Sequence, residues 1–506
     1  MLLNNFDLDT CLMEFPAKEG NEKWTIRNAV EGVQIFGGIG SGKTSGSGKM
    51  IALKYLLAGF GGLVLTVKPD EKEMWQEYCS MTGREDDLII VEPGGKNTFN
   101  FLEYESASVG DKKSSSENIV QVLKTVSRAS EEKTGGKSDD PFWETALDML
   151  ISNIIDLCLL AYGKVSVRNL YDIALSIPRK DYEAAGPDRK KTTFDIAFIA
   201  AVENVTRQIG NYEAGLQKEE KDKLYETELD AYNAELCNAI PDARTLKYVD
   251  QFFTESFMNL SEKTRSIIDF SFSGFLFCLL REPIYSLFCR YPSSFTPDDC
   301  LKGKIILINL PVKYNHKVGR DSQILFKYIW QRAMEKRNVK ENGRPVFLWA
   351  DEAQHFLHEY DSEYQATARS SRIATVYITQ NLPNYHANMG GSKSEFKVKS
   401  FLGTLGTKIF HANADIETNR YASELIGDGL FEDKSETATA AGQFSSSQTT
   451  SVKIKRIVRP EEFARLKTGG PQNNGRVEGV IHVQGSTLKN GFNHLKTQFN
   501  QNFTTP

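Results

Sequence analysis

A glycine-rich stretch near the start of the chain carries the strongest chemical signal in the sequence. Eight consecutive residues fit the pattern G-x-x-x-x-G-K-[ST] at every position: Gly37, Gly38, Ile39, Gly40, Ser41, Gly42, Lys43 and Thr44. Glycines let the backbone turn so that its N–H groups point at phosphate oxygens, and a helix that begins there adds positive potential. In this pattern the lysine reaches the β- and γ-phosphates and the threonine hydroxyl binds Mg²⁺. The stretch from Gly37 to Ser45 therefore predicts an ATP site in which Lys43 contacts phosphate and Thr44 holds the metal.

Two adjacent carboxylates, Asp351 and Glu352, directly follow the five apolar residues 346–350. Acidic pairs are common on protein surfaces, but this pair ends a predicted core strand in a chain that also has a phosphate-binding loop. We expect Asp351 to bind Mg²⁺ through the metal's water shell. We expect Glu352 to polarise the attacking water as the general base.

Polar and charged residues flank the next predicted strand, 373–378. Gln380 follows the strand, where its amide could sense the γ-phosphate or could simply cap the strand end. Arg369 and Arg372 precede the strand. An arginine supplied across a subunit boundary stabilises the charge of a transferring phosphoryl group, whereas an ordinary surface arginine does no such work.

Short apolar runs alternate with helical patterns at both ends of the chain. Continuous apolar strands of this kind predict a mainly parallel sheet covered on both faces. The predicted strands are 33–36, 63–67, 88–91, 305–310, 346–350, 373–378, 408–410 and 480–483. The pattern from about 115 to about 291 is mainly helical instead. The fold class expected is α/β, with a P-loop domain interrupted by an all-α insertion.

The boundaries follow from where the alternation stops and resumes. We expect residues 1–107 and 294–486 to form the two parts of the ATPase domain. The first part contains the glycine loop, residues 37–44, and the second contains the two carboxylates. We expect 108–293 to form the all-α insertion and 487–506 to form a polar tail. The Ser- and Thr-rich stretch 435–451 is expected to be a mobile loop.

Composition limits the classes of function. The chain has 506 residues and a net charge of only -5, which excludes a uniformly basic nucleic-acid binder but permits a local basic groove. A small basic stretch follows the predicted loop and could be such a surface or a solvated edge strand: Lys453, Lys455, Arg456 and Arg459. No base-reading motif is recognised, so any DNA contact is expected to be non-sequence-specific.

Two long apolar stretches, 146–162 and 272–289, approach the length of a membrane span. Both contain charged residues, and neither reaches about 20 clean apolar residues, so we interpret them as buried helices of a soluble protein. The seven cysteines are widely spaced without a C-x-x-C pair, which favours reduced thiols in a cytosolic compartment over disulfides or a zinc site.

Several segments together resemble the type IV secretion coupling proteins of the TraD/TraG group, within the HerA/FtsK class of ring-forming DNA motors. The resemblance covers about residues 30–485, and its main segments are GGIGSGKT, LVLTVKPDE, FNFL, DPFWETA, LWADEAQHF and TARSSRIATVYITQN. It implies a RecA-like domain with an inserted all-α domain, a hexameric ring and DNA translocation. It also implies the roles argued above for Lys43, Thr44, Asp351, Glu352 and Gln380.

The resemblance further favours Arg369 as the arginine finger, because Arg369 lies eleven residues before Gln380. Relaxase or secretion-channel proteins are the partners that it implies. Many members of the family carry N-terminal transmembrane helices, and no such span is predicted here. We therefore expect a cytoplasmic protein, either a truncated or a naturally soluble member, or one held at the inner membrane by a partner. The segment from Lys68 to Glu71 departs from the family's Asp-x-Lys order, and no catalytic role is assigned to it.

Three functions remain open from the sequence. The first is an ATP-hydrolysing motor that pumps DNA in conjugative transfer. The second is a motor of the same class that acts on protein substrates, in DNA packaging or in phage defence. The third is a nucleotide-binding scaffold with little turnover, against which the intact Glu352 argues.

Overall fold

The computed structural model describes residues 6–17, 20–107, 117–125, 141–179, 190–226, 228–358, 360–389, 394–441, 443–488 and 491–503. The chain divides into two units, one formed by Met1–Ile90 with Pro297–Pro506 and the other by Val91–Thr296. The chain thus passes between units at 90/91 and 296/297, compared with 107/108 and 293/294 in the sequence-based prediction.

Most strands belong to the first unit. In chain order they are β1 (Cys11–Ala17), β2 (Gly20–Thr25), β3 (Val33–Phe36), β4 (Gly61–Leu65), β5 (Leu88–Val91), β6 (Ile305–Ile308), β7 (Val346–Ala350), β8 (Ile373–Thr379), β9 (Thr407–Phe410), β10 (Asp428–Ala441), β11 (Gln443–Arg456), β12 (Arg476–Val483) and β13 (His494–Asn500). Among the described residues, nine strands form one large sheet in the order β13-β12-β9-β3-β8-β7-β4-β6-β5. β1 pairs with β2, and β10 pairs with β11, in two antiparallel hairpins.

The centre of the large sheet is parallel. β3 pairs in parallel with β8 and β9, β4 pairs with β6 and β7, and β7 pairs with β8. β12 and β13 extend one edge with antiparallel pairing. Every residue of β3, β4, β6, β7 and β8 is buried, as continuous apolar strands require when helices cover both faces. The predicted α/β class with a mainly parallel sheet is confirmed.

Helices cover this sheet and make up most of the second unit. In chain order they are α1 (Ile26–Val30), α2 (Lys49–Leu57), α3 (Glu71–Met81), α4 (Phe101–Ala107), α5 (117–125), α6 (Pro141–Tyr162), α7 (Val167–Leu175), α8 (Thr193–Gly215), α9 (Lys218–Glu226), α10 (Leu229–Ala239), α11 (Pro241–Gln251), α12 (Glu262–Leu279), α13 (Val312–Glu335), α14 (Tyr360–Ala368), α15 (Leu382–Asn388), α16 (Ser394–Gly403), α17 (Ile416–Ile426) and α18 (Pro460–Ala464). A π-helical turn, Thr44–Gly48, precedes α2.

Two sequence-based predictions about the C-terminal part were wrong. The expected polar tail 487–506 contains β13, whose apolar Leu495 and Phe499 are buried while polar residues alternate with them. The expected loop 435–451 lies inside the β10–β11 hairpin, which pairs continuously from Asp428 with Arg456 to Ala441 with Gln443. A composition rich in serine and threonine predicted a loop, but backbone pairing between strands does not require apolar side chains.

The apolar stretches of the helical unit form helices. Within α6, Thr145–Tyr162 is long and apolar enough to cross a membrane by length and composition alone, and it is the one such segment found among the described residues. A core helix meets the same criterion, and residues such as Leu150, Ile154 and Cys158 are fully buried. Phe272 and Leu276 of α12, in the second stretch, are also buried.

Candidate active site

The glycine loop connects β3 to the π-helical turn and α2. Gly42 has a φ of +81°, and a Cβ there would lie 2.4 Å from Cγ2 of Val477, so only glycine fits the conformation and the space. The N–H of Gly37 donates to Thr379 O at 3.3 Å, and that of Gly38 donates to Ala412 O at 2.9 Å. The loop is thereby tied to the residues that end β8 and follow β9.

The loop lines an open cavity of about 370 Å³. Of the predicted phosphate-binding residues, seven line it: Gly38, Gly40, Ser41, Gly42, Lys43, Thr44 and Ser45. Gly37 lies buried behind them, and Ile39 is 89% exposed. The hydroxyl of Ser41 is buried and has no hydrogen-bond partner among the described residues. Backbone N–H groups at the start of a helix, a lysine and an unpaired hydroxyl suit a phosphate group.

The ends of three neighbouring strands bring the predicted residues together. β8 lies between β3 and β7 in the sheet, so Gln380 at its end falls between the glycine loop and the carboxylates. The hydroxyl of Thr44 donates to Oδ2 of Asp351 at 2.9 Å, although the two residues are 307 positions apart. A hydroxyl and a carboxylate are oxygen ligands of the kind that Mg²⁺ takes together with waters and substrate phosphates. Thr44 and Asp351 therefore fit the metal role predicted for them.

Glu352 is held in a strained backbone conformation by contacts on both carboxylate oxygens. Its φ of +49° places it in the left-handed region, which costs a non-glycine residue about 1–2 kcal/mol. Oε1 accepts a hydrogen bond from Gln380 at 3.3 Å and lies 3.7 Å from Nζ of Lys43. Oε2 accepts a hydrogen bond from Gln354 at 3.0 Å.

The charge of Glu352 follows from these neighbours. Burial by itself would raise the pKa of this carboxyl, but the hydrogen bond from Gln354 and the positive charge of Lys43 outweigh burial and lower the pKa. The ionised form of Glu352 is the form that can act as a base.

Gln354 was not predicted from the sequence. Its position two residues after Glu352 was the available signal, and Thr379 fixes its amide by donating to Oε1 at 2.8 Å.

Lys68 is a second residue that sequence reasoning missed. Its Nζ lies 3.5 Å from Oδ2 of Asp351 and 4.0 Å from Oε1 of Glu352. Burial would lower the pKa of Lys68, but the charges of Asp351, Glu71 and Glu352 outweigh burial and raise it. The signal was the position of Lys68 just after β4, because Leu65 of β4 pairs with Ala350 of β7.

His411 links the glycine loop to the sheet behind it. Its Nε2 lies 2.7 Å from the hydroxyl of Ser47 in the π-helical turn, and its Nδ1 lies 2.9 Å from Glu478 O. Burial lowers the pKa of His411 to about 4, so the ring is neutral near pH 7 and makes both contacts uncharged. This residue supports the loop from β9 and was not predicted from the sequence.

The two candidate arginines lie at the other end of β8. A strand of seven residues spans about 20 Å, so Arg369 is not brought to the glycine loop of its own subunit. Its side chain is 60% exposed, lies 3.4 Å from Oε1 of Glu31 and lines an open cavity of about 540 Å³. Arg372 instead donates to the carbonyls of Phe6 and Gly343, at 2.6 and 2.8 Å, and so has a structural role.

The small basic stretch 453–459 is largely neutralised in the structure. Nζ of Lys453 and Lys455 lie 2.9 and 3.1 Å from carboxylate oxygens of Asp433, and Arg456 lies 3.2 Å from Asp428. This geometry matches the solvated edge strand better than a basic groove.

The segment that carries most of these residues resembles part of a known family. Residues 345–468, which contain both carboxylates, Gln380 and Arg369, match a family model described as the TraM recognition site of TraD and TraG. Over these residues the chain is similar to TraD and TraG. A search of curated proteins finds no match to the sequence.

Solved structures similar to this chain share its fold. The bacterial conjugative coupling protein TrwBdeltaN70, in an unbound form, matches with a TM-score of 0.58 and 12% identity over 97% of this chain and 89% of that one. TrwB in complex with the ATP analogue ADPNP matches with a TM-score of 0.57 and 13% identity, over 99% of this chain and 98% of that one. TrwB in complex with ADP and Mg²⁺ matches with a TM-score of 0.54 and 12% identity, over 96% of this chain and 88% of that one. The predicted RecA-like P-loop fold is confirmed.

Proposed function

We propose that this TraD/TraG-like protein hydrolyses ATP and uses the energy to move DNA through a ring of six copies. The observation that carries the proposal is the 2.9 Å contact between Thr44 and Asp351, which joins the phosphate-binding loop to the acidic pair. TrwB, which has the same fold, was solved with ADPNP and with ADP and Mg²⁺. These complexes support ATP and Mg²⁺ as the ligands of this site.

The residues around the site divide the chemistry among them. Lys43 and the loop N–H groups bind the β- and γ-phosphates. Thr44 and Asp351 would hold Mg²⁺, which would supply positive charge next to those phosphates. Glu352, ionised and oriented by Gln354, accepts a proton from the water that attacks the γ-phosphorus. Gln380 bonds to Glu352 and couples the base to the terminal phosphate.

An arginine for the transferring phosphoryl group has to come from another copy. Arg369 lies at the far end of β8 from the glycine loop and is exposed to an open cavity, so it is available to a neighbour and not to its own site. Such an arrangement requires a closed ring in which each copy completes the site of the next. The number of copies in the ring, six, is what the family resemblance implies.

DNA is the proposed substrate because the family resemblance and the fold both favour a conjugative coupling protein. The net charge of -5 is compatible with this role, since several copies line one channel and each contributes few cations. Contacts to phosphates would be non-sequence-specific and steeply dependent on salt.

The matched family model is described as a TraM recognition site, which supports a protein partner from the DNA-processing machinery at residues 345–468.

The test is turnover of ATP measured with and without DNA, together with the mass of the protein in solution. The proposal expects turnover that rises with added single- or double-stranded DNA and a mass near six chains in the presence of nucleotide and DNA. Turnover that ignores DNA would instead favour a motor for another substrate. Nucleotide binding without turnover would favour a scaffold.

A further inference from the structure

Lys68 approaches the acidic pair from the side opposite to the sequence-predicted lysine. Lys43 reaches Glu352 from the glycine loop, whereas Lys68 comes from the end of β4 and reaches both Asp351 and Glu352. The side chain of Lys68 is 29% exposed, while those of Asp351 and Glu352 are 2% and 9% exposed. A partly shielded charge pair of this kind is screened less by solvent than a surface pair is.

The backbone that carries Lys68 is held in place by buried groups. Oε2 of Glu71, at the start of α3, accepts hydrogen bonds from the N–H of Val67 at 2.7 Å and of Lys68 at 3.2 Å. Gln323 of α13 bonds to both the N–H and the carbonyl of Thr66. The main chain that carries this ammonium group is therefore fixed on both sides.

The charges of the site indicate what this ammonium is for. Besides Glu71, whose pKa burial raises to about 8, the protein alone places two carboxylates and two ammonium groups here. A triphosphate adds more negative charge than a diphosphate does. The added charge is that of the γ-phosphate, next to which the general base Glu352 must stand if it activates the attacking water. A cation that lies beside both Glu352 and Asp351 is therefore beside the terminal phosphate and away from the other two.

We propose that Lys68 binds the terminal phosphate and lets the site distinguish ATP from ADP. This inference rests on the proposed function, because it assumes that the site binds nucleotide. Lys43 serves both nucleotides, since its ammonium follows the loop that cradles the β-phosphate. Lys68 serves the triphosphate alone.

The test compares equilibrium binding of ADPNP and ADP to the full chain, by calorimetry, in variants of Lys68. Lys68→Met removes the charge and keeps the length of the side chain, and Lys68→Arg keeps the charge. Lys23→Met, at an exposed lysine of β2, is the matched control for the loss of one positive charge. Binding is measured with Mg²⁺ and again with EDTA, so that effects through the metal are separated from effects on phosphate.

Lys68→Met is expected to weaken ADPNP binding about tenfold or more and to change ADP binding less than about twofold, in both buffers, since charge-assisted bonds are among the strong ones. Lys68→Arg is expected to keep most of the preference for ADPNP. Equal weakening of both nucleotides, or no change in their ratio, would overturn the inference and assign Lys68 a structural role. The ratio is measured within one variant, so a general loss of stability does not imitate the expected result. If wild type binds neither nucleotide, the proposed function fails, and this inference fails with it.

Discussion

The hydroxyl of Thr44 and Oδ2 of Asp351 are 2.9 Å apart, and they belong to segments separated by 307 positions in the chain. The contact exists because β3 and β7 are parallel strands separated only by β8, so their carboxyl ends open at the same edge of the sheet. Ligands of open α/β sheets bind at this edge.

Lys43→Ala is expected to abolish turnover and to weaken ATP binding, because the cation that contacts the β- and γ-phosphates is lost. Nucleotide binding and phosphate release would be measured on the same preparation. Lys49→Ala is the comparison variant, because Lys49 also lines the cavity but donates to Gln501 O at 3.3 Å. Wild-type turnover in Lys43→Ala would show that the cavity is not the site of hydrolysis.

Glu352→Gln is expected to bind ATP normally and to hydrolyse it at least about 100-fold more slowly, because an amide cannot accept the proton of the attacking water. Binding and single-turnover rates separate the two effects. The control is Glu363→Gln, at an exposed glutamate of α14 that is far from the cavity in sequence and lines none of it. A hydrolysis rate equal to that of wild type would remove Glu352 as the general base.

Arg369→Ala is expected to be inactive as a pure protein and to lower the activity of wild type when the two are mixed. The physical reason is that each ring position that lacks the arginine leaves a neighbouring site without its phosphoryl-stabilising cation. Activity would be followed against the mole fraction of variant, with Arg465→Ala, an exposed arginine after α18, as control. An activity that falls only in proportion to the mole fraction of the variant would show that Arg369 acts within its own subunit or has no part in catalysis.

Lys408→Met is expected to stabilise the protein at pH 7. Lys408 lies in β9, is 2% exposed, and donates to Leu405 O; no carboxylate pairs with it in the part of the chain that the structure describes. Burial lowers the pKa of Lys408 from 10.5 to about 8. Below pH 8 the folded protein therefore buries an unpaired positive charge.

The sign of the pH effect follows from proton binding. Between about pH 8 and 10.5 the unfolded chain still binds the proton of Lys408 while the folded chain has lost it, so the free energy of unfolding of wild type rises with pH by up to ~3 kcal/mol. The advantage of Lys408→Met should shrink over the same window. Urea unfolding at pH 7 and pH 9.5 measures both, and an advantage that stays constant with pH would contradict the assignment.

Asp361→Asn is expected to destabilise the first unit by ~3–5 kcal/mol, because it leaves the charge of Lys327 buried without its partner. Both side chains of this pair are fully buried, and Nζ of Lys327 lies 2.6 Å from Oδ2 of Asp361. Lys327 also donates to Phe356 O at 2.8 Å, so the pair fastens the segment that follows Glu352.

Denaturant unfolding measures the effect of Asp361→Asn, and Glu395→Gln is the control. Glu395 pairs with Lys399 on the exposed surface of α16, where loss of the pair is expected to leave the unfolding midpoint unchanged. Equal midpoints for Asp361→Asn and wild type would show that the buried pair does not hold the segment.

The sequence alone was sufficient for features that depend on neighbouring residues. The glycine loop and the acidic pair at the end of a buried strand could be predicted because each is encoded within about ten consecutive positions. The parallel α/β class could be predicted because each of the alternating strands and helices has its own local pattern. Alternating burial in β13 is encoded equally locally, but its apolar residues are few among many polar ones, so the strand resembled a polar tail.

The order of strands in the sheet was decided only by the tertiary structure. That order places Lys68 beside Asp351, His411 beside Ser47, and Arg369 at the end of β8 remote from the glycine loop. These relationships join residues that are tens to hundreds of positions apart, and no local periodicity records which strands become neighbours. Pairing between distant strands depends on the packing of the whole domain, and so the residues that complete the site appear only once the chain is folded.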